Sequence, residues 1–353
     1  MIDHVYAARE LQGKTLSSGW KVLKKIDFPG ESIDKPTDDL SVYYEVEKDG
    51  CCCFMKAIDF SQYMSVRVEG QKTTELLKQM IDDFNYERDL SIHCQKKKVT
   101  KVAFVIESGE EEVEGYLIGV VPYLIFEKAD SDVRAVLAYS KKLDLAWKMK
   151  SLHDVAVGVQ QLHKAGVSHQ NLKPSNVLLF KGDSKIGDLG KALCPELNDM
   201  HYDVEFKGDF SYEPPELLYG YPMQNWERRS YLADCYVLGG LIVFYLLGVT
   251  MNGVLFRHLP EQFHPATYAI PFNAVEGYLM EAYEKAISDI SMSLKDNPLR
   301  ERIVNMIKYL CIPDPERRGH PKTIKSVDSN YNLERFISEL NYLNRKAELE
   351  LLK

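Results

Sequence analysis

Residues 169–190 constrain this chain more than any other stretch. They read His169-Gln-Asn-Leu-Lys-Pro-Ser-Asn176, an apolar run Val177 to Phe180, and then Lys185-Ile-Gly-Asp-Leu-Gly190. Asp188 follows a strand-like Ser184-Lys-Ile186 and precedes Gly190, whose freedom permits a tight turn. Its carboxylate is a good ligand for a divalent cation, and Asn176, twelve residues earlier, offers a second oxygen. Lys173 supplies a cation suited to a phosphate, and His169 is better placed to brace the loop than to react.

The rest of the chain divides around this stretch. Trp20 to Phe28 and Val42 to Val46 read as strands, and Lys48-Asp-Gly50 is a turn leading into a third strand from Cys51 to Phe60. Residues 72–94 place Leu76, Leu77, Met80, Ile81 and Phe84 at helical spacing. Val99 to Ile106 and Tyr116 to Phe126 read as two more strands around an acidic turn, Glu110 to Glu114. From about Glu127 the pattern is helical: Leu145 to Leu162, then about 228–248, 276–294, 298–310 and 332 to the end. Order alone gives an α+β chain with a small β-rich part and a larger helical one.

At 353 residues there is length for two cores. The formal charge of −8 argues against a general nucleic-acid or anionic-membrane partner. Cys51-Cys52-Cys53 suit a buried strand in a reducing compartment better than disulfides or a metal site. The first residues lack an apolar signal core, and the longest apolar run, Tyr236 to Val249, is shorter than a bilayer span. A cytoplasmic protein with no membrane segment is expected.

The 169–190 stretch resembles the catalytic loop H-R-D-L-K-x-x-N and the metal loop D-F-G of protein kinases. Three further segments fall into register. Gly208-Asp-Phe-Ser-Tyr-Glu-Pro-Pro-Glu216 resembles the end of the activation segment, G-T-x-x-Y-x-A-P-E. Asp234 matches the aspartate of the long buried helix, and Asp314-Pro-Glu-Arg-Arg318 matches D-P-x-x-R. The chain thus resembles a divergent eukaryotic-like Ser/Thr protein kinase of bacterial type with pseudokinase features. The resemblance implies a bilobal protein-kinase-like fold: an extension at 1–19, a β-rich N-lobe at 20–127, a helical C-lobe at 128–325 and a C-terminal helix at 326–353. It implies ATP with Mg²⁺ (or Mn²⁺), and a protein substrate or binding partner. Glu216 and Arg318 should form a buried ion pair that ties the segment to the last helices.

In the small lobe, Phe54-Met-Lys-Ala-Ile58 resembles the strand carrying the phosphate-binding lysine, which makes Lys56 the candidate. Its partner should be Glu75, 19 residues on, or Glu87, 31 on; Glu87 is preferred because it lies nearer the next strand. Glu127 and Ala129, where the lobes join, are assigned to nucleotide binding by the same resemblance.

Four departures bear on activity. Asn171 stands where the family has its catalytic aspartate, and general-base and positioning roles are worth about 10²–10⁴-fold. The 29–39 loop lacks the glycines that let successive backbone N–H groups cradle a phosphate. Phe54 replaces the small residue that packs on adenine, and Gln170 replaces the arginine that reads activation-segment phosphorylation. Asp209 occupies the threonine position of G-T-x-x-Y. It either supplies the carboxylate the loop has lost, close to Asn171 and Lys173, or merely pairs with Lys173. Three functions remain open: weak Ser/Thr phosphoryl transfer, a pseudokinase that binds without turnover, or other nucleotide chemistry such as nucleotidyl transfer. The charged, amphipathic stretch from Asn332 to Lys353 either docks back or binds a partner.

Overall fold

A computed structural model describes residues 6–26, 41–60, 72–116, 118–139, 144–197, 208–223, 225–266, 270–325 and 330–351. The chain forms two units, Met1–Lys97 with Ala103–Ala129, and Lys98–Val102 with Asp130–Lys353. The 29–39 loop lies outside the described residues.

The first unit is an antiparallel sheet with one long helix. Strands β1 (Lys21–Ile26), β2 (Ser41–Lys48) and β3 (Cys51–Ile58) precede helix α1 (Thr73–Lys96), and β4 (Val105–Glu112) and β5 (Val120–Glu127) follow it. The order is β1-β2-β3-β5-β4. Strand alternation sends Val42, Tyr44, Val46, Cys53, Met55, Ala57, Val121, Tyr123 and Ile125 to one buried face. The 1–19 segment covers that face: Ala7, Ala8, Leu11 and Leu16, with Trp20, share the same apolar cluster. The Tyr44 hydroxyl donates to the Ala8 carbonyl (2.7 Å) and Trp20 Nε1 to Glu107 (3.0 Å). On the other face, Leu76, Met80 and Phe84 of α1 pack against Ile58, Val105 and Leu124.

Two expectations shift here. The strand expected over Val99 to Ile106 begins only at Val105. Residues 98–102 belong to the second unit, where Val102 makes a single bridge with Ile186, and Val99 and Val102 are apolar because they are buried there. The glutamates Glu110 to Glu112 lie on β4 rather than in a turn, which follows at 113–119.

In the second unit, β6 (Ser131–Asp132) leads into α2 (Val133–Tyr139) and α3 (Leu145–Lys164). Asp144 caps α3 by accepting from Trp147 N at 2.6 Å. The 3₁₀ turn Pro174–Asn176 opens the hairpin β7 (Val177–Phe180) and β8 (Asp183–Ile186), which with β6 forms a three-stranded sheet. Helices α4 (Pro215–Leu218), α5 (Trp226–Leu247), α6 (Met251–Phe256), α7 (Phe272–Ser293), α8 (Arg300–Leu310), α9 (Pro321–Ile324) and α10 (Glu334–Leu351) complete it.

Helix α5 is the core element. It is long and apolar enough to cross a membrane, yet 83% of its most apolar window is buried within the protein. A Cβ at Gly239 would meet Cys311 Sγ at 2.4 Å, so glycine lets α5 and α8 approach closely. Helix α10 docks back along α3, burying Phe336, Leu340, Leu343 and Ala347, with Leu333 N donating to Gln160 (2.8 Å).

Candidate functional site

The second unit builds its functional loop on Asp234, which α5 buries. One oxygen of Asp234 accepts from His169 N (2.9 Å) and the Ser168 hydroxyl (2.8 Å), and the other from Gln170 N (3.0 Å). His163 Nε2 lies 2.9 Å from the same carboxylate. Burial alone would raise the Asp234 pKa, but the bonds to His163 and the loop outweigh it and hold the carboxyl below its ordinary value. Gln170 adopts φ of +61° and turns inward, where its amide donates to Ser168 Oγ (2.6 Å) and the Ser230 carbonyl. His169 Nε2 donates to the Gly187 carbonyl (3.0 Å), which leaves Nδ1 to accept from Asn171 N (3.3 Å).

This loop brings Asn171 and Asn176 to Asp188. Asp188 sits in the left-handed region (φ +59°), which aspartate tolerates better than most residues. Its Oδ2 accepts from Asn171 Nδ2 at 2.9 Å and from Asn176 Nδ2 at 3.2 Å. Asn176 Nδ2 also donates to the Asn171 carbonyl (2.8 Å). The carboxylate fixes the amide orientation, since the flipped form would set oxygen against oxygen. Asn171 Oδ1 is therefore left buried without a hydrogen-bond partner among the described residues. Asn176 Oδ1 likewise accepts no hydrogen bond there. The Asp188 carboxylate and the Asn176 amide oxygen, once that amide turns, are hard oxygen donors of the kind that fit Mg²⁺ or Mn²⁺.

The Lys173 side chain makes no hydrogen bond or ion pair among the described residues. Among the described residues Asp209 forms no hydrogen bond or ion pair with Asn171 or Lys173. Asp209 Oδ1 accepts from Ser211 N (2.9 Å), two residues on, and its carbonyl from Tyr212 N (2.8 Å), so it closes a local turn. Burial, with the Asp209 charge beside it, pushes the Tyr212 hydroxyl up to about 12. At the end of the segment, Glu216 and Arg318 form a buried fork, with Arg318 Nη2 2.7 Å from Glu216 Oε2.

In the first unit, Lys56 Nζ lies 3.1 Å from Glu87 Oε2, with side-chain exposures of 12% and 8%. Glu87 shares the buried face of α1 with Met80, Phe84 and Leu90, whereas Glu75 is exposed and pairs with Lys72 (3.7 Å). Phe54 lies on the same sheet face as Lys56. It stacks on Tyr43 (centroids 5.3 Å, 24°) and meets Phe126 at a tilt (6.4 Å). Tyr43 and Phe126 were not singled out in the sequence; strand alternation, which puts Tyr43 opposite Lys56 and Phe126 opposite Phe54, was the available signal. Glu127 closes β5 and is exposed; Ala129 is the last residue of the first unit.

The family model for the protein kinase domain matches residues 65–328. The chain is 28% identical over 201 residues to the hormonally up-regulated neu tumor-associated kinase of Mus musculus, covering 56% of this chain and 24% of that protein. It is 35% identical over 97 residues to mitogen-activated protein kinase 2 of Oryza sativa subsp. japonica (27% of this chain, 24% of that protein). It is 34% identical over 99 residues to the serine/threonine-protein kinase mos of Gallus gallus (27% of each). The matched regions span about a quarter of these relatives.

Proposed function

Because the chain belongs to the protein kinase domain family, we propose that it binds ATP with Mg²⁺ or Mn²⁺ and transfers phosphate slowly to serine or threonine hydroxyls. The observation that carries this reading is the 2.9 Å bond from the Asn171 amide to the Asp188 carboxylate. It keeps the metal-binding carboxylate aimed while putting a hydrogen-bond donor where a base is wanted. Asp188 and Asn176 would hold the cation, whose charge offsets that of the triphosphate. Lys56, braced by Glu87, and Lys173, with no ion-pair partner among the described residues, supply the phosphate-binding cations. Among the described residues Asn171 Oδ1 is an acceptor without a donor. It can receive the hydrogen bond of a substrate hydroxyl and hold it in place, but it cannot take the proton at neutral pH. Positioning without proton removal gives slow transfer.

A second reading has its own support. Tyr43, Phe54 and Phe126 gather on the sheet face that carries Lys56, where their bulk would crowd a nucleotide base; this favours a pseudokinase that binds a partner without turnover. Seven thiols, none in a disulfide, accord with a cytoplasmic setting.

Thermal-shift titration of the full chain with ATP and Mg²⁺, followed by radiolabel transfer from the γ-phosphate, separates these readings. Saturation at 100 times Kd adds about 2.7 kcal/mol. No shift with any nucleotide sinks the proposal. A shift without label transfer to a Ser/Thr substrate leaves the pseudokinase.

A further inference from the structure

A second place in the second unit has ligand-binding chemistry that the loop around Asp188 does not use. Beside the turn that Asp209 closes lies a cleft of about 370 Å³, lined by Phe210, Thr250, Asn252, Phe256, Arg257 and His264 among others. One wall is firmly built. Asn252, 3% exposed, donates its amide to the carbonyls of Glu213 (2.8 Å) and Phe210 (3.4 Å), while the Tyr236 hydroxyl donates to its Oδ1 (2.6 Å). Fixing those two carbonyls fixes the chain that carries Phe210. Its ring nevertheless stays 48% exposed, an apolar surface at a site whose backbone is tied down.

The charges here are unmatched. Arg257 is exposed, and its side chain makes no hydrogen bond or ion pair among the described residues. The His264 ring meets the edge of Phe256 (5.3 Å) and likewise has no hydrogen-bond partner there. Among the described residues no carboxylate lines the cleft, although the chain has 52 acidic residues against 44 basic ones. Five other described arginines, Arg9, Arg88, Arg228, Arg302 and Arg318, lie against carboxylates.

We propose that this cleft docks a protein segment bearing a glutamate or aspartate beside an apolar or aromatic residue. Phe210 and Phe256 take the apolar side chain, and Arg257 and His264 take the carboxylate. The volume has room for one or two side chains. One guanidinium and one imidazole suit a carboxylate; phosphate recognition draws on clusters of arginines. The docking surface does not rest on phosphate transfer, because a pseudokinase would present the same cleft.

The test is therefore run without nucleotide. Fluorescence anisotropy of the full chain is measured with a fluorescein-labelled peptide centred on Glu-Phe, and with versions carrying Gln-Phe, Glu-Ala or phosphoserine-Phe. The Glu-Phe peptide should bind, and the Gln-Phe and Glu-Ala peptides should bind about tenfold more weakly. Arg257→Gln and His264→Gln should each reduce the preference for Glu over Gln without changing the melting temperature, and Arg302→Gln, on a helix that does not line the cleft, should leave it intact. Equal binding of the Glu and Gln peptides, or a preference that survives in the Arg257→Gln/His264→Gln double variant, overturns the proposal. So does tighter binding of the phosphoserine peptide by more than an order of magnitude, which assigns the cleft to phosphorylated partners. Dimers of the chain alone in sedimentation, dissolved by Arg257→Gln, overturn it too by giving the cleft to a second copy.

Discussion

Replacing Asn171 by aspartate does two things at once, and the geometry separates them. The amide nitrogen is 2.9 Å from Asp188 Oδ2, so an aspartate in the same rotamer sets two carboxylates face to face. At about 4 Å between charges and an effective dielectric near 20, the repulsion is roughly 4 kcal/mol, or about three pKa units. A hydrogen bond worth about 1 kcal/mol is lost as well. Part of the repulsion is relieved by rotation toward solvent, so a net cost of about 2–4 kcal/mol at neutral pH is expected for the metal-free protein. For a unit of this size that is roughly 5–10 °C in Tm. The new carboxyl has a folded pKa raised above its unfolded value of about 3.9. Its cost is therefore absent below about pH 4 and grows as pH rises through the folded pKa. A divalent cation between the carboxylates should abolish most of it. The assay is differential scanning fluorimetry of Asn171→Asp and the native chain from about pH 4 to 8, with EDTA or with millimolar Mn²⁺. A Tm difference that ignores both pH and metal would refute the reasoning. In the same preparations, Asn171→Asp should raise label transfer by about 10²–10⁴-fold with metal present.

Three other outcomes follow from buried groups. Burial tends to raise the Asp154 pKa, but bonds from His153, Lys150 and Lys101 outweigh it and hold the carboxyl well below its ordinary value of 3.8. Its stabilisation is present above that value and lost as pH falls below it, so urea midpoints of Asp154→Asn should fall less steeply below about pH 4 than those of the native chain; parallel curves would contradict this. Arg318→Met leaves Glu216, 3% exposed, without its cation and should cost about 3–5 kcal/mol in urea unfolding; a cost under about 1 kcal/mol would show the pair to be dispensable. Leu16→Ala, in the segment covering the first sheet, should cost about 2–4 kcal/mol, against under about 0.5 kcal/mol if that segment lay loosely on the surface.

The helices were legible because their apolar residues recur at 3.6-residue spacing; Leu152, Val155, Val159 and Leu162 of α3 are all fully buried. Glu87 was legible for the same reason, since it shares a face with Phe84 and Leu90. The region around Val102 was not. A run of buried coil and a run of strand are both apolar, and only pairing partners distinguish them. Asp209 shows a different limit. Its position matched a motif, but its direction was set by the N–H of Ser211, a bond within its own turn that no motif register reveals. The identity of Asn171 was plain from the sequence. Its role as a donor to a carboxylate 17 residues away was not, because rotamers are chosen by neighbours in space. The cover that residues 7–16 give the first sheet was also hidden, because Leu11 and Leu16 are too sparse to form a period.

The inward turn of Gln170 bears on when the loop acquires its shape. Its amide and Ser168 reach the start of α5 through neutral hydrogen bonds, beside an Asp234 carboxylate shared by two backbone N–H groups. None of these bonds waits for a later event: all are complete once α5 is folded, and all are shielded from dissolved ions by burial. The posture of residues 168–171 is thus a property of the folded chain itself, as lasting as its core, with no external charge needed to set it.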